Sequence, residues 1–320
     1  MRNTIYLVVM LLFLAGCEKE DVLTPSKEDR DWFVITNDSD APVDKAIYAL
    51  YEKWHIPVFY NDTIGREERG VDYKGNPIVY YRVLNLNYSL NSSSNYNTNE
   101  RRISKVESES DLLAGVRFLD EVLLPNMPDV FHFTSVLLLD SLYEVSWGRP
   151  VLPLLEVYQG MEVLAIGNVP SIARMERDEQ VDVVNRVVTY LTVNYLTTKN
   201  LDKMSDFYKV SYDPVKEWEY HGMYVTPTPL YPGYVCLASA RWETYGFLGY
   251  DHSRYSKLDP SPVEEWSYYL PKKDADVEDF ILAVLSYTPD EFETEYAEFP
   301  KVKEKYTLMR EMLVEQGIVK

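Results

Sequence analysis

The chain has 320 residues, 46% of them hydrophobic, and a formal net charge of -19. That apolar content excludes an intrinsically disordered protein, and the acidic excess excludes binding nucleic-acid phosphates through a basic patch. The length allows one large domain or two modest ones.

Residues 1–16 read as a targeting signal. Arg2 is a short basic head, and Ile5 to Leu14 is an apolar run too short to cross a bilayer. The following Leu14-Ala15-Gly16-Cys17 resembles a bacterial lipobox, which predicts acylation of Cys17 and cleavage just before it. Cleavage removes Arg2 and no acid, so the net charge moves from -19 to -20. Next, Glu18-Lys19-Glu20-Asp21 is similar to the signal that sends Bacteroidota lipoproteins to the outer face of the outer membrane; an ordinary charged tether is the plainer reading. Residues 17–40 form the lipidated Cys17 and a flexible leash, which leaves 41–320 as a single domain. With Cys17 acylated, Cys236 has no partner for a disulfide and reads as a small buried apolar residue.

Within that domain, Val43 to Trp54 has Ala46, Leu50 and Trp54 on one helix face. His55 to Tyr60 predicts a strand that Pro57 confines to a sheet edge, and Pro77 to Val83 a second, rich in β-branched and aromatic residues. The Asn/Ser tract from Leu86 to Glu100 reads as an exposed loop. Ser110 to Leu124 predicts a helix, and Ser135 to Val145 and Val157 to Ile166 two strands. From Glu176 to Lys199, Val184, Val187, Val188, Leu191 and Tyr195 recur at helical spacing. The β-branched content there favours a strand, but the length is too great for one. Turns and aromatics fill 200–270. Three helices close the chain: Asp276 to Tyr287, Pro289 to Glu298 and Pro300 to Gln316, the last stopping at Gly317. The order predicts an α+β fold: a small mixed sheet, a long central helix and a helical C-terminal part.

None of the four histidines, His55, His132, His221 and His252, lies three or four residues from another, so no helix offers a zincin His pair. Each alone reads as structural or as a surface residue. No phosphate loop, dinucleotide fingerprint or Gly-x-Ser-x-Gly is present. The 27 Tyr and 6 Trp could stack on sugar rings, but without a visible platform they read first as core filling.

Several segments, in order, resemble the zinc-binding metallopeptidase-like lipoproteins of Bacteroidota. They are VDKAIYALYEKWHIPVFY at 43–60, Ala240-Arg-Trp-Glu-Thr-Tyr-Gly-Phe-Leu-Gly-Tyr250, Glu278-Asp-Phe-Ile-Leu-Ala-Val-Leu-Ser-Tyr287, and the tail from Pro300 to Gly317. The resemblance implies a lethal-factor-type gluzincin fold, zincin-like, and company with a glycan-uptake system. In that family the long helix carries His-Glu-x-x-His, and a later Glu serves as third ligand. Here Leu191, Thr192 and Tyr195 stand at the helix positions and Leu282 at the third, or Ile281 or Ala283 if the register slips. Leu, Thr and a phenol do not hold zinc at neutral pH, nor does Thr192 take a proton from metal-bound water.

The resemblance therefore implies a degenerate, non-catalytic homologue, anchored through Cys17 on the outer membrane and facing the exterior, with no metal or other cofactor. It would bind a peptide or glycan or serve a glycan-uptake complex. Two other readings stand beside it. One is a hydrolase using His221, Glu243, Tyr250 and His252 as cleft residues; the other is a plain glycan-binding lipoprotein.

Overall fold

Two aliphatic runs, Val136–Leu138 (β5) and Leu164–Ile166 (β9), form the buried middle of a four-stranded sheet, with every residue in them at 0% exposure. Unbroken apolar runs of this kind suit strands covered on both faces. The structure, a computed structural model, describes residues 30–87, 100–146, 149–150, 154–199, 202–211, 235–236, 242–249, 268–269, 271 and 273–320. Contacts divide the chain into Met1–Val34 and Ile35–Lys320. The following concerns the second unit.

Helix α1 (Pro42–Trp54) buries Val43, Ile47 and Leu50 and ends where His55 takes a left-handed conformation, φ 56°. The predicted strand from His55 shrinks to Val58–Phe59 (β1), because the helix cap consumes His55. It does lie at a sheet edge, as Pro57 required, pairing parallel to β5. Strand β5 pairs parallel to β9, and β8 (Val157–Gln159) pairs antiparallel to β9 at the far edge. The single strand predicted for 157–166 is thus a hairpin, broken by a turn in which Gly160 N–H donates to the Val163 carbonyl at 2.8 Å.

The strand predicted for 135–145 also divides. Its first part is β5; its second, β6 (Ser141–Ser146), joins another sheet, between β4 (Glu100–Ser104) and β7 (Arg149–Pro150). A third sheet is the hairpin of β2 (Thr63–Val71) and β3 (Pro77–Val83).

Helix α2 (Glu109–Phe118) starts at Ser108, whose side chain accepts from Asp111 N–H at 3.3 Å. It runs into a π-helical turn (Leu119–Leu123), where Asp120 accepts from Lys53 Nζ at 2.6 Å and Trp54 Nε1 at 2.7 Å. After a short α3 (Val169–Ile172) comes the predicted long helix, α4 (Arg177–Lys199). Its buried face holds Val183, Val184, Val187, Val188, Leu191 and Leu196. Helix α5 (Asp202–Val210) occupies a stretch predicted as turns. The final helices, α6 (Lys273–Ser286), α7 (Pro289–Glu295) and α8 (Pro300–Glu315), follow the prediction within a few residues. Gly317 stops α8 with φ 70°. Among the described residues the fold is α+β, with eight helices and small sheets.

Candidate functional site

The positions where the family resemblance implies zinc ligands lie on α4 and α6, two helices that pack against each other. Leu191 is 2% exposed and Thr192 0%. The Thr192 hydroxyl donates to the Val188 carbonyl at 2.7 Å, so its one proton is committed within its own helix. Tyr195 is half-buried, donates to Gln316 Oε1 at 3.2 Å and meets Phe131 edge-on at 6.0 Å. On α6, Leu282 is half-buried between buried Ile281 and Ala283. An aliphatic chain, a committed hydroxyl and a hydrogen-bonded phenol do not fit a zinc ion, which takes imidazole, thiolate or carboxylate. Among the described residues no group of three or more His, Cys, Asp or Glu is placed to hold a metal.

The other end of α6 carries charge. Asp276, in its first turn, is 0% exposed and accepts from Lys305 Nζ of α8 through both carboxylate oxygens, at 2.7 and 2.5 Å. Lys305, also 0% exposed, donates in addition to Ser211 Oγ at 3.2 Å. Its ammonium lies over the rings of Phe207, Phe247 and Phe280, at 4.3, 4.7 and 4.7 Å. The enclosure is completed by Gly246, with φ 90°, where a Cβ would come within 2.9 Å of Ser211 Oγ. One centre therefore ties α5, α6, α8 and the 3₁₀ turn Trp242–Tyr245 together.

Burial disfavours the charged forms here and charge pairing opposes it. Burial lowers the Lys305 pKa to about 8, with Asp276 pulling it back up. Asp279, one turn from Asp276, is raised to about 7 by burial and then by Asp276 and Glu278, with Lys305 opposing. The Tyr208 phenol is pushed up to about 12, by burial first and then by Asp276 and Asp274. Burial also raises Tyr296, followed by Tyr287 and the carboxylates of Glu295, Glu243 and Asp279, which places Glu243 and Asp279 near one phenol. With its ammonium enclosed, Lys305 has the geometry of a structural tie and no path to a substrate.

Of the predicted cleft residues, Glu243 is half-buried in the 3₁₀ turn. His221, Tyr250 and His252 lie outside the described residues, as does Cys17, and the burial expected of Cys236 falls outside them too. His55 and His132 are exposed, as surface histidines.

The ion pair had a readable sign in the sequence. Lys305 falls on the stripe Val302, Met309 and Met312, and Asp276 on the stripe Phe280 and Ala283, so each charge sits on an apolar helix face. No family model matches the chain, and no curated protein or solved structure matches it. Among the described residues no helix is long and apolar enough to cross a membrane.

Proposed function

We propose that the protein is a lipid-anchored binding protein of the outer-membrane surface. Its domain would be of the metallopeptidase-like, gluzincin kind, with the zinc ligands replaced. It acts by holding a peptide or glycan, or by serving an uptake complex, without hydrolysis. The observation that carries this reading is the burial of Leu191 and Thr192 on α4, with the Thr192 hydroxyl bonded to the Val188 carbonyl of the same helix. Reopening a metal site there would break core packing on both helices. Anchoring through Cys17 follows from the lipobox resemblance and the short apolar run before it.

Metal analysis of the mature chain after dialysis tests the reading. Zinc well below one atom per chain is expected. Retention of one zinc per chain, together with peptidase activity that a chelator abolishes, would overturn it.

A further inference from the structure

We draw no further inference here: the strongest candidate, the exposed apolar surface patch of the β2–β3 hairpin around Val71, Tyr73 and Ile78, carries nothing, because nothing in the structure shows what covers it.

Discussion

Helix α6 has two buried ends that solve the same problem differently. Toward its C-terminus, Ile281 and Ala283 are buried side chains with no polar atom to satisfy, on a helix that packs against α4. At its N-terminus, Asp276 is equally buried but accepts from Lys305 Nζ through both carboxylate oxygens. Burial of polar atoms is tolerable in proportion to how completely they are bonded. The contrast is sharpened by α4, whose buried Thr189 hydroxyl has no hydrogen-bond partner among the described residues. The charged pair is bonded on both sides, whereas α4 carries a buried hydroxyl that no described residue bonds.

The largest expected effect comes from breaking the charged end on one side only. Lys305→Met leaves Asp276 buried without its cation and should cost about 3–5 kcal/mol in urea unfolding. The double variant Lys305→Met, Asp276→Leu should recover most of that, because the penalty lies in the orphaned charge. A double variant as unstable as the single one would show that packing around the rings, and not the pair, holds α5, α6 and α8 together.

A smaller effect is expected from Asp279. Its folded pKa of about 7 stands above the ordinary 3.8, so the folded chain holds this proton more tightly than the unfolded one. The associated stability is complete below pH 3.8 and is lost as pH rises through about 7. Lys305, lowered to about 8 from 10.5, contributes its own slope only above that window. Unfolding measured across the window should show a downward slope that Asp279→Asn flattens. An unchanged slope would remove Asp279 from the account.

The smallest effect belongs to the buried hydroxyl of α4. Thr189→Val replaces an unmet hydroxyl by a methyl of similar shape and should stabilise the fold by about 1 kcal/mol, read as a raised denaturation midpoint. A loss of stability would mean that the hydroxyl is bonded in solution.

Much of this was legible in the sequence, for reasons that differ by element. Helix α4 announced itself by length and spacing despite its Val and Thr residues. Strand β3 showed through its aromatic and β-branched run, but its partner β2, Thr-Ile-Gly-Arg-Glu-Glu-Arg-Gly-Val, has no apolar alternation because the ribbon buries little of it. The breaks at Leu139-Asp140 and Gly160 were invisible as breaks, since apolar residues lie on both sides of each. The apolar face of α4 that buries Leu191 was readable from its spacing. For Lys305 and Asp276 the charge on each apolar helix face was legible but the pairing was not, because the two lie 29 residues apart on different helices and no local pattern links them.

The parallel pairing of the central sheet also has a consequence in time. Joining Val58 to Val136 closes 136 − 58 = 78 residues of chain, whereas joining Val136 to Leu164 closes 164 − 136 = 28. Loop closure costs about 0.6 kcal/mol more for each doubling of length, so the first ladder is the dearer by roughly 1 kcal/mol before any contact repays it. The hairpin and the helices can form from near neighbours, while β1 must wait for distant chain to arrive. On that reckoning the sheet is completed from β9 outward, and β1 is the last strand to find its place.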